Sequence, residues 1–207
     1  MISDIKAIDI VLLPPPAIAD SAVKINKMLN DSFKNKTIVL DKKNCLPHIS
    51  LAMGSITSDN LEILLDDLLL IGDRYLPYGA SFKGYAAVKT SDNKVVSGID
   101  LIKNEIISNL QDEINTSFSK FNNGVVTPDM IYPDETEITD FTLEYSANYL
   151  KNSTRDNFSP HITLGNGNIY ELKNIPLIPS KFICENIAVC HLGNHCTCRE
   201  ILWQYFE

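Results

Sequence analysis

Positive charge is scarce in this chain of 207 residues. Lysine and arginine together number 18 against 26 aspartates and glutamates, which gives a formal net charge of −8. Attraction between basic side chains and the phosphate backbone supplies most non-specific affinity for nucleic acids. The deficit therefore disfavours long nucleic acid as a partner and favours a small nucleotide or a short oligonucleotide. Among the few arginines, Arg155 is a candidate for contacting phosphate, although a solvated loop charge is the simpler interpretation.

Long apolar runs are also absent. No stretch reaches the roughly 18 apolar residues that are needed to cross a bilayer, and residues 1–9 carry charges where a signal peptide has its apolar core. The cysteines number five, an odd count that does not suggest a disulfide framework. Together these features predict a cytoplasmic protein with no membrane partner.

A repeated pentapeptide stands out against this background. The sequence Pro-His-Ile-Ser-Leu at 47–51 returns as Pro-His-Ile-Thr-Leu at 160–164, and the two copies contain two of the four histidines. Each copy is β-branched and aliphatic and opens with a proline, which a sheet tolerates best at the start of a strand. Both copies are therefore predicted to be strands.

Alternation along a strand sorts each copy into two faces. His48 and Ser50 share one face, and His161 and Thr163 share the corresponding face of the second copy, while the aliphatic residues point the other way. The Cα atoms of the imidazole and hydroxyl residues are about 6.6 Å apart on such a strand. That spacing lets both side chains reach one tetrahedral phosphate.

These four groups suit phosphodiester chemistry. Histidine, with an unperturbed pKa of about 6.5, exchanges protons near neutral pH. One of the two histidines, His48 or His161, would serve as base and the other as acid, while the hydroxyls of Ser50 and Thr163 would donate hydrogen bonds to non-bridging oxygens. The scheme needs no metal and no cofactor. Because the two copies are chemically equivalent, the sequence does not assign base and acid.

The doubled motif resembles the signature of the two-histidine (2H) phosphoesterase superfamily, which is His-Φ-[Ser/Thr]-Φ repeated once in each half of one domain. The second copy, with Phe158-Ser159 before it and Gly165 after it, is most similar to the 2′-5′ RNA ligase-like and cyclic nucleotide phosphodiesterase branches. The resemblance implies an α+β fold in which residues 1–207 form a single bilobal, pseudo-symmetric domain. Two antiparallel sheets flanked by helices would enclose a central cleft.

The remaining pattern agrees with such a fold. Strands are expected at 6–13, 37–40, 81–89, 94–99, 184–192 and 199–206, the last two as a hairpin across Gly193-Asn194. Helices are expected at 17–33, from the cap at Thr57 to Gly72, at 101–121 and at 139–151. Residues 122–137 lack periodicity and are predicted to be a loop that acts as a lid. The loop carries acids that could in principle bind a metal but are more simply solvated charges: Asp129, Asp134, Glu135 and Glu137.

Residues 190–198 form a competing cluster, because they contain three cysteines and the other two histidines. A two-residue turn would place His191 opposite Cys196, with Cys198 on the same face, and thiolates with imidazole suit Zn²⁺. All the ligands would then come from one hairpin, whereas structural zinc sites draw on two separated segments. An ordinary polar turn, with Cys184 and Cys190 as small core residues, is the favoured interpretation.

The sequence therefore predicts a phosphoric diester hydrolase that acts without metal on a small nucleotide. Its substrate would be a 2′,3′-cyclic phosphate or a 2′-5′ or 3′-5′ linked oligonucleotide, linear or cyclic. The alternatives are a nucleotide-binding module of the same fold without turnover and an RNA 2′-5′ ligase. Three aromatic residues are candidates for stacking on a base, although an aromatic is more often part of the core: Tyr85, Tyr132 and Phe158.

Overall fold

The computed structural model describes residues 4–90, 93–133 and 137–205. Its strands are β1 (Ile5–Leu13), β2 (Ile49–Thr57), β3 (Tyr78–Lys89), β4 (Val95–Leu101), β5 (His161–Asn166), β6 (Lys181–Cys184), β7 (Asn186–Gly193) and β8 (Thr197–Gln204). Its helices are α1 (Pro16–Phe33), α2 (Ser58–Tyr75), α3 (Glu105–Phe118), α4 (Asp140–Ala147) and α5 (Tyr149–Asn152).

The strands form two four-stranded antiparallel sheets. One has the order β2-β1-β7-β8 and the other β5-β4-β3-β6. The predicted α+β class with two antiparallel sheets is therefore confirmed. Both motif strands, β2 and β5, lie at the edge of their sheet, where a proline at the strand start leaves no interior hydrogen bond unmade.

Local sequence explains most element boundaries. β1 is a buried aliphatic run that lies between two neighbours and ends before the prolines, as predicted, and Pro16 occupies the first turn of α1. Thr57 and Thr139 cap α2 and α4 by accepting hydrogen bonds from Asn60 N and Thr142 N. The helix expected at 101–121 is shorter, because β4 continues to Leu101 and Asn104 supplies the cap of α3.

Other boundaries differ from the predictions. Residues 37–40 are not a strand, and their polar backbone groups are instead bound by side chains of α1. The short strand β6 was not predicted, since four residues are too few to show alternation. Helix 139–151 is interrupted at Asn148, which separates α4 from α5. The expected turn at 91–93 falls largely outside the described residues.

The two halves repeat each other down to the register. Ser50 pairs with Val11 across β1 and β2, and a bulge follows, so that Ala52 pairs with Ile10. In the other sheet Thr163 pairs with Gly98, and after an equivalent bulge Gly165 pairs with Ser97. The pair β1/β2 is thus equivalent to β4/β5, which supplies the pseudo-symmetry that the repeat predicted.

The helices cover the sheets unequally. α1 packs against β5, although it follows β1 of the other sheet, while α2 and α3 pack against β2. Buried side chains of both sheets, among them Ile8 of β1 and Ile99 of β4, belong to one hydrophobic cluster. Because the halves share this core, the cleft between them has a fixed frame. That residues 1–207 form one domain stays a prediction.

The C-terminal hairpin is formed by β7 and β8, as predicted. One expectation about it is wrong: Cys190 and Cys198 form a disulfide, whereas the odd cysteine count suggested none. An odd count leaves at least one cysteine outside any disulfide but does not prevent a single cross-strand pair, and Cys184 and Cys196 are not disulfide-bonded. Within the described ranges, no helix combines the length and apolarity that crossing a bilayer requires.

Candidate active site

The two motifs line one cavity of about 550 Å³ between the sheets. His48 and Ser50 line its wall on the β2 side, and His161 and Thr163 line it from β5. The alternation of each strand buries the intervening Ile49 and Ile162 completely. The four residues that the repeat singled out are therefore brought together at one cavity, and their catalytic roles stay predictions.

Both histidines are held by the same local hydrogen bond. His48 Nδ1 lies 2.7 Å from the carbonyl oxygen of Leu46, and His161 Nδ1 lies 2.8 Å from that of Ser159. Because a carbonyl oxygen only accepts hydrogen bonds, Nδ1 must carry the proton in each ring. Nε2 is therefore the ring nitrogen that can accept a proton whenever the ring is neutral.

A buried acid stands behind the first motif. Asp9 on β1 is fully buried, its Oδ2 lies 2.7 Å from Ser50 Oγ, and the same oxygen lies 3.5 Å from His48 Nε2. Tyr149 donates a hydrogen bond to the backbone oxygen of Ser50 at 3.2 Å. Sequence reasoning missed Asp9, although a single carboxyl inside an aliphatic strand was a visible signal.

Burial favours the uncharged forms of this pair. It lowers the pKa of His48 to about 4, against the opposing hydrogen bond to Leu46, and a positive charge on His161 would lower it further. Burial raises the pKa of Asp9 well above its usual range, and the Ser50 hydroxyl only partly offsets this. At neutral pH the His48 imidazole is therefore neutral, and the raised pKa of Asp9 favours its protonated carboxyl.

The second motif has no acid at the position equivalent to Asp9. The register position equivalent to Asp9 is Val96, because Val96 pairs with Asn166 as Asp9 pairs with Met53. His161 is also exposed, whereas the side chain of His48 is only 10% exposed. Two motifs that are equivalent in sequence are thus inequivalent in their surroundings.

An aromatic wall, defined here as Phe141, Tyr145 and Tyr149, lines another side of the cavity. The rings of Phe141 and Tyr145 are stacked at 5.3 Å, and Tyr149 meets Tyr145 edge-on at 5.7 Å. Phe141 is 54% exposed, so part of its ring is accessible from the solvent. The i, i+4, i+8 spacing showed that these residues share a helix face but not that the face lines a cavity.

The aromatic candidates named from sequence lie elsewhere or are buried. Tyr85 is outside the cavity lining and donates to the carbonyl of Pro176 at 2.7 Å. Tyr132 packs edge-on against His191 and beneath Arg199. Phe158 does line the cavity but is 4% exposed, which suits a packed wall better than a stacking platform. Arg155 is not part of the lining, whereas Lys94 is.

The predicted lid is anchored over part of its length. Asn123 N donates to Ser55 O on β2, and Tyr132 N donates to Leu192 O on β7. None of residues 122–133 or Glu137 lines the cavity. Asp134 and Glu135 lie outside the described residues, so a lid at 122–137 stays a prediction.

The zinc arrangement considered at 190–198 is not formed. The turn takes three residues, Asn194–Cys196, and this shifts the register so that His191 faces Glu200 and Cys198 faces Leu192. Cys190 and Cys198 form a disulfide, so neither offers a thiolate to a metal. Across the described parts of the chain, no three histidine, cysteine or acidic side chains are grouped as metal ligands would be.

Solved structures with the same arrangement are known. E. coli LigT in complex with phosphate matches with 13% identity, 98% of each chain covered and a TM-score of 0.53. E. coli LigT with NADP+ matches with 14% identity, 97% coverage of each chain and a TM-score of 0.51. The protein TT0787 of Thermus thermophilus matches with 15% identity, 96% coverage of each chain and a TM-score of 0.50.

At these identities the likeness concerns the fold. No protein-family model and no curated protein sequence matches the chain. The structural matches cover both chains almost completely, so they include both sheets and both motif strands. The chain therefore has the two-sheet fold of LigT, which is the fold that the resemblance to the two-histidine phosphoesterases predicted.

Proposed function

We propose that the protein is a metal-independent phosphodiesterase that acts on a small nucleotide in the cavity between the sheets. The observation that carries this proposal is the paired geometry of the histidines, because both line one cavity and both have Nδ1 held by the same type of backbone hydrogen bond, which leaves Nε2 for proton exchange. Two such rings around one phosphate provide a proton acceptor and a proton donor.

The surroundings of the histidines favour one division of labour. His48, neutral because it is buried, would take the proton of the attacking water or hydroxyl at Nε2. The oxygen thus activated would bond to phosphorus as the bond from phosphorus to the leaving oxygen breaks. Protonated His161 would give its Nε2 proton to that leaving oxygen. Ser50 and Thr163 would donate hydrogen bonds to the non-bridging oxygens.

Three features support a nucleotide as substrate, and a fourth, the net charge, concerns its length. The cavity volume of about 550 Å³ falls within the range of small-molecule sites, roughly 300–1,000 Å³. The exposed ring of Phe141 offers a surface on which a base could stack. LigT, which has the same fold, has been crystallised with phosphate, NADP+ and ATP. The net charge of −8 favours short substrates over long ones.

The test is a substrate panel in the presence of EDTA. The panel contains 2′,3′-cyclic nucleotides, linear 2′-5′ and 3′-5′ oligonucleotides and cyclic di- and trinucleotides. We expect EDTA-resistant cleavage of at least one class, with losses of about 10²-fold or more for His48→Ala and for His161→Ala. His191→Gln is the matched control, because His191 lies outside the cavity and glutamine still offers a donor to the Met130 carbonyl.

Each other result has a defined meaning. Tight binding of a nucleotide with no cleavage would indicate that the protein is a nucleotide-binding module of the same fold and not an enzyme. Joining of 2′-5′ ends in place of cleavage would indicate the ligase. Cleavage that EDTA abolishes, or that survives both histidine substitutions, would contradict the proposal.

A further inference from the structure

The hydrogen bond between Ser50 and Asp9 restricts what Ser50 can do. A serine hydroxyl has one hydrogen to donate. If Asp9 is ionised, its Oδ2 can only accept, so the Ser50 hydrogen must point back to Asp9 across the 2.7 Å contact. If Asp9 is protonated, it can donate to Ser50 Oγ instead. The Ser50 hydrogen is then free to point into the cavity.

The surroundings of Asp9 favour the protonated carboxyl. Its second oxygen, Oδ1, is fully buried and finds no hydrogen-bond donor among the described residues. An ionised carboxylate would leave that charged oxygen unsatisfied, which costs far more than leaving the oxygen of a neutral acid unsatisfied. The unpartnered oxygen is therefore independent evidence that Asp9 holds a proton.

The groups that face Asp9 come from several elements. His48, just before β2, has Nε2 at 3.5 Å, and Met53 is its register partner on that strand. Tyr145 of α4, Tyr149 of α5 and Cys196 of the hairpin turn interact with it electrostatically. Burial raises the pKa of all three groups, so none is ionised at neutral pH. Its partner on β7 is disulfide-bonded.

We propose that Asp9 is a positioning residue that stays protonated at neutral pH and donates its proton to Ser50 Oγ, so that the Ser50 hydroxyl is turned towards the substrate phosphate. The proposal rests on the proposed function, since it assigns the control of one of that site's phosphate donors. Val96 replaces the acid in the second half, so only Ser50, and not Thr163, is controlled in this way.

The proposal predicts a loss of substrate binding at alkaline pH. As pH rises through the pKa of Asp9, the proton leaves, the Ser50 hydrogen turns back, and a negative charge appears behind the phosphate. Affinity therefore falls on the alkaline side, and KM rises more than kcat changes. Asp9→Asn replaces the acid by a neutral donor of the same shape, so it should keep Ser50 oriented at every pH.

The first experiment measures kcat and KM against pH with a 2′,3′-cyclic nucleotide that the protein cleaves. For the unmodified protein we expect KM to rise about tenfold from neutral to alkaline pH, as Asp9 loses its proton. For Asp9→Asn we expect KM to stay within about threefold of its neutral value, with kcat near neutral pH reduced by no more than about threefold. In a protein that already carries Ser50→Ala, Asp9→Asn should change the alkaline rise of KM less, because no hydroxyl remains for Asp9 to orient.

Three kinetic results would overturn the proposal. A folded Asp9→Asn protein that loses about 10²-fold in kcat at every pH would mean that Asp9 carries a proton in the reaction. An unchanged alkaline rise of KM in Asp9→Asn would mean that another group is responsible. If Asp9→Asn changes the alkaline rise of KM equally with and without Ser50→Ala, Asp9 does not act through Ser50.

A second experiment needs no turnover. In unmodified protein with ¹³C-labelled aspartate carboxyls, NMR should show one aspartic acid that is still protonated at pH 7, and the absence of such a signal overturns the proposal. Sulfate, which keeps its charge in this range, serves as a binding probe. Its affinity should fall further at alkaline pH in the unmodified protein than in Asp9→Asn. Failure of the substrate panel alone would leave both results intact and would contradict only the proposed function.

Discussion

At the scale of single residues, the site combines a repeated device with unrepeated neighbours. His48 and His161 each donate Nδ1–H to the carbonyl two residues earlier, which lies immediately before the pentapeptide, so the local backbone fixes the tautomer. What differs is the neighbouring strand: Asp9 of β1 faces the first motif, and Val96 of β4 occupies the equivalent position beside the second motif. Local sequence therefore determines which ring nitrogen can accept a proton, while tertiary packing buries His48 and lowers its pKa.

The aromatic wall gives a prediction at this scale. Phe141→Ala should raise KM for a nucleotide by roughly 5- to 150-fold with a smaller effect on kcat, because base stacking on an aromatic ring contributes about 1–3 kcal/mol. Phe141→Trp should keep KM near that of the unmodified protein. Steady-state kinetics on the best substrate of the panel measure both.

Tyr170→Ala is the control for that experiment. Tyr170 is 69% exposed and does not line the cavity, so its loss should leave KM unchanged. If Phe141→Ala and Tyr170→Ala behave alike, the aromatic wall does not contact the substrate.

The repeat made the four polar residues predictable, because strand alternation assigns His48 and Ser50 to one face without knowledge of the rest of the fold. Asp9 was not predictable as their neighbour. It lies 48 − 9 = 39 residues before His48, and only the register of β1 against β2 brings its carboxyl to Ser50. Phe141 was assigned to a helix, but which face of that helix borders a cavity depends on tertiary packing.

At the scale of elements, the bulge in the second motif strand determines how that strand is joined to α1. The bulge skips one residue of the strand, so the backbone of Leu164 in β5 has no strand partner at that point. Asn26 of α1 binds the Leu164 carbonyl at 2.8 Å and also donates to Ile38 O and accepts from Leu40 N. One buried side chain thus joins α1, the segment after it and the second motif strand.

The glycine after the second motif is explained by the same contact. Gly165 has φ +124°, a conformation that side chains rarely adopt, and an added Cβ would lie 2.8 Å from Asn26 Nδ2. The sequence showed the glycine as part of a family-like pattern. Its physical reason, the close approach of α1 to β5, depends on a helix more than 130 residues earlier in the chain, which local sequence does not reveal.

We predict that Asn26→Ala destabilises the protein by about 2–4 kcal/mol, because it leaves buried backbone groups without partners. Urea unfolding followed by circular dichroism measures the change. Asn148→Ala is the control, since Asn148 is exposed and bonds only within its own helix turn, and it should cost less than about 1 kcal/mol. Equal losses in the two variants would contradict a special role for the Asn26 contacts.

At the scale of the whole molecule, the two halves are related by register and bulge but not by sequence outside the motifs. The repeat predicted a pseudo-symmetric pair of sheets, and hydrophobic periodicity located most strands and helices. Neither the repeat nor the periodicity predicted that α1 would pack on the opposite sheet, because an amphipathic pattern shows which face of a helix is apolar and not which sheet that face covers. The disulfide was missed for a similar reason, since pairing of Cys190 with Cys198 depends on the hairpin geometry.

Net charge acts at this scale too, and it gives the last prediction. With a charge of −8 the protein should repel a long RNA, so a 20-nucleotide RNA should bind no more tightly than a dinucleotide at low salt.

Replacing two exposed acids of α2 outside the cavity lining, Glu62→Lys with Asp66→Lys, changes the charge to −8 + 4 = −4. Fluorescence anisotropy at about 50 and 200 mM salt should then show tighter, salt-sensitive binding of the long RNA with KM for the dinucleotide unchanged. A long RNA that already binds the unmodified protein with a steep salt dependence would show instead that a local basic surface outweighs the overall charge, and would redirect the search for the substrate towards structured or polymeric RNA.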